Sequence, residues 1–155
     1  MKFATINGIS IHYQFDDAGA AKPLIVFSNS LATDFRIWQD CVDDLSADYS
    51  ILRYDKRGHG LSGMGTPPYQ IDDHVNDLVA LMDHLGLSGA IVVGLSVGGL
   101  IAQGLYHARS DLAKALRKNL SEGEGVLVNE AKARVASELN SAKRAYKEAY
   151  EAGDP

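Results

Sequence analysis

Cysteine is nearly absent from this 155-residue chain: Cys41 stands alone, which rules out a disulfide framework or a thiolate metal cluster. No apolar run approaches the roughly 20 residues needed to span a bilayer. The opening Met1-Lys2-Phe3-Ala4-Thr5-Ile6-Asn7-Gly8 turns polar too early for the apolar core of a signal peptide. Positive charge is also in deficit. Fifteen Lys and Arg face twenty Asp and Glu, a net charge of −5, so neither nucleic acid nor an anionic membrane surface is an expected partner. No cofactor or metal site is expected, and the expected location is the cytoplasm.

The most informative deficit is local. Residues 1–109 contain twelve aspartates and no glutamate, whereas residues 110–155 contain six glutamates and two aspartates. The basic residues divide as seven before the break and eight after it. A switch this abrupt suggests two segments of different origin, with 1–109 as one domain and 110–155 as a helical tail.

Within the first segment, short apolar runs alternate with amphipathic stretches. Ile9 to Phe15 alternates with period two, as a half-buried strand does. Leu24–Phe27, Ser50–Tyr54 and the β-branched Ile91–Val93 read as more fully buried strands. Ile71, Val75, Leu78, Val79, Met82 and Leu85 form a helical stripe. Asp72 and Asp73 lie in its first turn and Gly86 at its end, as helix electrostatics and C-capping favour. Strands alternating with helices predict an α/β fold, mostly parallel, with helices on both faces of the sheet. In the tail, Asp111 to Leu120 has the composition of a short helix. Beyond it Val128, Ala131, Val135, Leu139, Ala142, Tyr146 and Ala149 recur at helical spacing, a shallow stripe suited to a solvated helix or to docking.

Gly94-Leu95-Ser96-Val97-Gly98-Gly99 fits G-x-S-x-G, with a buried strand running into it and an apolar helix leaving it. That is the setting of a nucleophile elbow, which lifts a serine hydroxyl above a sheet at a helix N-terminus. The two glycines flanking the serine are expected where the sharp turn leaves no room for a Cβ. A phosphate-binding turn is the alternative, but its G-x-G-x-x-G spacing and the P-loop lysine are both missing.

Two further segments agree. Phe27-Ser28-Asn29-Ser30-Leu31-Ala32-Thr33 leaves a strand where an oxyanion loop belongs, and Asp55-Lys56-Arg57-Gly58-His59-Gly60-Leu61-Ser62 follows the next strand. Together these three motifs resemble the α/β-hydrolase superfamily. The run from Phe27 to Trp38, with Arg53-Tyr54-Asp55, resembles the 3-oxoadipate enol-lactone hydrolases. The resemblance covers about residues 1–109 and implies a serine hydrolase of small esters or lactones. It implies Ser96 as nucleophile, the backbone amides of Leu31 and Val97 as oxyanion donors, and Arg36 and Trp38 at the substrate, with Arg36 holding a substrate carboxylate. The Asp55–Ser62 loop is expected to brace the structure, with His59 a remote choice of base.

In this superfamily the acid and the histidine follow the serine along the chain. After Ser96 the single histidine is His107, eleven residues along a helix and ~16 Å away by helical rise, out of hydrogen-bond reach. His12, His74 and His84 precede the elbow. The expectation is therefore a truncated hydrolase domain, incomplete or inactive as this chain alone, whose strand Ile91–Val93 forms an open apolar edge prone to self-association. A tail covering that edge would prevent it. A different class of function also fits: a non-catalytic interaction or scaffold protein, with the hydrolase portion as its base and the tail as a docking helix.

Overall fold

The computed structural model describes residues 2–113; of the short helix expected at Asp111–Leu120 only 111–113 are described, in a turn, and the longer tail helix expected beyond it lies outside the described residues. The elements are β1 (Lys2–Ile6), β2 (Ile9–Asp16), β3 (Leu24–Ser28), a 3-10 turn (Phe35–Trp38), α1 (Gln39–Leu45), β4 (Ser50–Tyr54), α2 (Ile71–His84), β5 (Ile91–Gly94) and α3 (Val97–Ala108). The five strands form one mixed sheet in the order β1-β2-β4-β3-β5. β1 and β2 run antiparallel to each other, and β2 antiparallel to β4. β4, β3 and β5 are mutually parallel, as crossovers through helices require.

β1 was not legible as a strand, because Phe3, Ala4 and Ile6 do not alternate. Ala4 and Ile6 are buried, while Phe3 faces outward. What creates it is the turn: Asn7 and Gly8 both take positive φ, 49° and 77°, and join β1 to β2 as a two-residue hairpin. Asn7 also donates to Asp77 on α2 at 2.9 Å, which ties the hairpin to the helix layer.

β3 and β4 are buried at all five positions, which demands cover on both faces. One face is formed by Leu24, Val26, Leu52 and Tyr54, which join Val75, Leu78, Leu81 and Met82 of α2 and Ile101 and Leu105 of α3 in a single apolar core. On the other face Phe27 stacks on Trp38, with ring centroids 4.6 Å apart, and the Arg53 guanidinium lies over Phe35 at 5.0 Å. β5 departs from the expectation of a fully buried strand: Ile91, Val92 and Val93 are half-buried. Among the described residues it pairs with β3 alone.

α2 begins with a reciprocal cap. The Asp73 carboxylate accepts from the Gln70 amide at 2.8 Å, and the chain leaves the helix through Gly86 at φ 66°. Packing continues past Arg109: Leu112 and Ala113 are buried in the same core, and the amides of Gly89 and Ala90 donate to Asp111 and Leu112. No helix among the described residues is long and apolar enough to cross a membrane.

Candidate active site

β5 ends at Gly94 and α3 begins at Val97, leaving two residues for the reversal. Ser96 makes it with φ 54° and ψ −118°, a backbone region sparsely populated by any residue with a side chain. A Cβ on Gly94 would sit 2.2 Å from the Gly98 carbonyl oxygen, and one on Gly98 would sit 2.1 Å from that of Ser28. Both contacts are with backbone and have no side chain to give way. The flanking glycines are thus dictated by the turn itself, which presses its own first helical turn against the end of β3. The Leu95 amide fastens the same contact by donating to the Ser28 carbonyl at 3.0 Å.

The strained turn leaves Ser96 exposed at the head of α3. Among the described residues, the backbone amides of Leu31 and Val97 have no acceptor, whereas Gly98 and Gly99 close tight turns onto Leu95 and Ser96. Ser96 thus presents an exposed hydroxyl at a helix N-terminus, a position that favours developing negative charge.

The loop after β3 is held from several sides. The Asn29 side-chain amide donates to the Thr33 carbonyl, and the Thr33 hydroxyl to the Ser30 carbonyl at 2.9 Å. Ala32 takes φ 57°, turning the chain immediately after Leu31. From below, the Lys56 ammonium donates to the carbonyls of Asn29 at 2.8 Å and Ser30 at 3.0 Å. Lys56 is 1% exposed, and burial pushes its pKa down to about 8 against the opposing pull of Asp55. Neither Lys56 nor His12 stood out in the sequence, because a lysine beside an arginine and a histidine in an alternating strand both look like surface residues.

The Asp55–Ser62 loop is a brace. The buried Asp55 carboxylate accepts from the amides of Phe35 and Leu61 and is bonded to His12 Nδ1 at 2.8 Å. A Cβ on Gly60 would collide with that carboxylate at 2.2 Å. Arg57 holds Asp77 of α2 through two bonds of 2.7 Å. His59 Nδ1 donates to the Arg57 carbonyl at 2.9 Å, leaving Nε2 as its accepting nitrogen. With Leu31 to Asp34 it lines a cavity of about 400 Å³.

Of the two substrate-binding residues expected from the sequence, Trp38 serves the core: it is 2% exposed and stacked on Phe27. Arg36 is outside, forking onto the Asp34 carboxylate at 2.9 and 2.7 Å at the rim of a second cavity of about 600 Å³. That pairing lowers the Asp34 pKa and raises that of Arg36. Among the described residues no histidine is bonded to the Ser96 hydroxyl, and no cluster of His, Cys, Asp or Glu fit to hold a metal ion occurs.

The model of the α/β-hydrolase fold family matches residues 23–116, taking in β3, the loop after it, the Asp55–Ser62 brace and the turn at Ser96. The chain belongs to the α/β-hydrolase family. It is similar to 3-oxoadipate enol-lactonase 2 of Acinetobacter baylyi, 42% identical over 86 residues, which is 56% of this chain and 32% of that protein. A carbamate-hydrolase-like relative from Caulobacter segnis is 33% identical over 112 residues, 71% of this chain and 39% of its own length. Among solved structures, the enol-lactonase of Burkholderia xenovorans LB400 superposes with a TM-score of 0.69 at 40% identity, over 72% of this chain and 44% of the other. The chain spans about a third of the length of the two Acinetobacter baylyi enol-lactonases it matches.

Proposed function

We propose that this α/β-hydrolase chain carries the nucleophile half of an acyl-transfer site for a small ester or lactone, most like an enol-lactone. The observation that carries the reading is the exposed Ser96 at φ 54°, wedged between two glycines that tolerate no Cβ. In this reading Ser96 Oγ attacks the substrate carbonyl, and the developing oxyanion is received by the amides of Leu31 and Val97. Where one such donor has been removed in other enzymes, the loss is about 3–4 kcal/mol of barrier stabilisation. An enol expelled from a lactone becomes a ketone and is a good leaving group. Arg36 forks onto Asp34 through Nε and Nη2, which leaves its Nη1 edge to meet a substrate carboxylate.

A serine hydroxyl is a weak nucleophile without a base at hand, and none of the described histidines bonds to it. The base of a complete site therefore comes from outside the described residues. Turnover of p-nitrophenyl acetate by the full chain, with added imidazole as a substitute base, is the test. Imidazole is expected to accelerate release well above its background rate, and Ser96→Ala is expected to lose that increment. Mixing with a separate chain bearing the acid and histidine is expected to raise turnover further. The same low rate in both proteins under every condition favours instead the interaction reading, with the hydrolase portion as a base and the 110–155 segment as its contact.

A further inference from the structure

A buried lysine ammonium without a carboxylate partner is costly, and its position needs a reason. Among the described residues no ion pair holds the Lys56 ammonium; the neighbouring Asp55 carboxylate is taken by His12, Phe35 and Leu61. Its bonded partners are two consecutive carbonyls, Asn29 and Ser30, of the loop that leads to Leu31.

We propose that Lys56 is a positioning residue for the oxyanion loop: by drawing the Ser30 carbonyl inward it turns the Leu31 amide outward, toward the reacting acyl group. The inference rests on the reading of Ser96 as nucleophile and Leu31 as oxyanion donor. It follows from the geometry of one peptide unit. In a planar trans peptide, the C=O of one residue and the N–H of the next point in opposite directions. Lys56 lies in the interior at 1% exposure, whereas Leu31 is 66% exposed. A Ser30 carbonyl bonded toward the interior therefore requires a Leu31 N–H directed away from it. The same ammonium polarises the Ser30–Leu31 amide and strengthens its N–H as a donor, as bonds in a chain reinforce each other. The positive φ of Ala32 then carries the backbone off, leaving that N–H clear.

The charged and titratable groups around the Lys56 ammonium are Asp55, which favours its proton, and His74 of α2, whose own protonation Lys56 disfavours. Loss of the ammonium charge weakens the grip on the Ser30 carbonyl, and the Leu31 amide registers it.

The experiment uses the full chain labelled with 15N. In the wild type, the Leu31 amide resonance is expected to shift with a midpoint of about pH 8 and to stay constant over the same range in Lys56→Arg and Lys56→Met. In parallel, covalent labelling of Ser96 by a fluorophosphonate, with imidazole added as the substitute base, is followed by intact mass at about pH 7, where Lys56 is charged. Labelling is expected to be at least about tenfold slower in Lys56→Met and to recover in part in Lys56→Arg. A Leu31 resonance indifferent to pH in the wild type, or Lys56→Met labelled at the wild-type rate, overturns the proposal. Absence of labelling in the wild type sinks the nucleophile reading on its own, and the Leu31 titration still decides the role of Lys56. If Lys56→Met loses its amide dispersion, wild type and Lys56→Arg carry both readouts.

Discussion

At the scale of single residues, two side chains sit where their chemistry is strained by the fold. Ser96 bears a backbone conformation that costs on the order of 1–3 kcal/mol for a residue with a Cβ. Ser96→Gly relieves it and is expected to raise stability by about 1 kcal/mol in urea denaturation, while abolishing covalent labelling; a loss of stability would show that the turn is not strained. His74 is 7% exposed, and its pKa is lowered first by burial, then by Lys56, His59 and Arg57. A histidine whose folded pKa lies below its ordinary 6.5 binds its proton more readily in the unfolded chain. Its contribution to stability is therefore complete above that value and is lost as pH falls below it. His74→Gln is expected to flatten the decline in melting temperature between about pH 6.5 and about pH 5, and an unchanged slope would remove His74 as its source.

At the scale of elements, the elbow is a contact between the head of α3 and the end of β3 as much as a local turn. Gly98→Ala forces a Cβ against the Ser28 carbonyl at 2.1 Å, where only backbone movement makes room. The expected loss is about 3 kcal/mol. Gly99 is the control: its Cβ would meet only the Gly94 oxygen at 3.7 Å, an ordinary contact. Gly99→Ala is expected to hold or raise stability by up to about 1 kcal/mol, as at a helix position with room for a Cβ. Equal effects at both positions in urea titrations would show that the close approach of β3 is not what fixes the elbow glycine. The brace acts at the same scale. Asp55 joins the 3-10 turn at Phe35, β2 at His12 and its own loop at Leu61, so one carboxylate sets the relative positions of three segments around the two cavities.

At the scale of the whole molecule, the sheet has an apolar border. β5 is half-buried and pairs with β3 alone among the described residues, an arrangement that templates strand addition. Sedimentation velocity of the full chain is expected to show association that increases with concentration and is reduced by Ile91→Lys, which places a charge on that border at a half-buried position. A chain that sediments as a monomer at every concentration, with or without the substitution, would exclude the border as an interface.

Much of this was written in the sequence because it depends on neighbours along the chain. The helical stripe of α2, the β-branched run of β5 and the G-x-S-x-G turn are local patterns, and the serine was legible because its turn requires glycine on both sides. The hairpin of β1 and β2 was only half legible: Asn7-Gly8 is a strong turn signal, but β1 itself lacks alternation, and its pairing with β2 supplies the order. What only the tertiary structure decided are the contacts between segments far apart in sequence. Trp38 went to the core because Phe27 stacks on it, and Arg36 turned to Asp34. Lys56 became a buried clamp because β4 delivers it beneath the carbonyls at the end of β3. Periodicity and glycine placement encode short-range sterics; which carbonyl a lysine reaches is set by how strands are stacked side by side, and no local pattern records that.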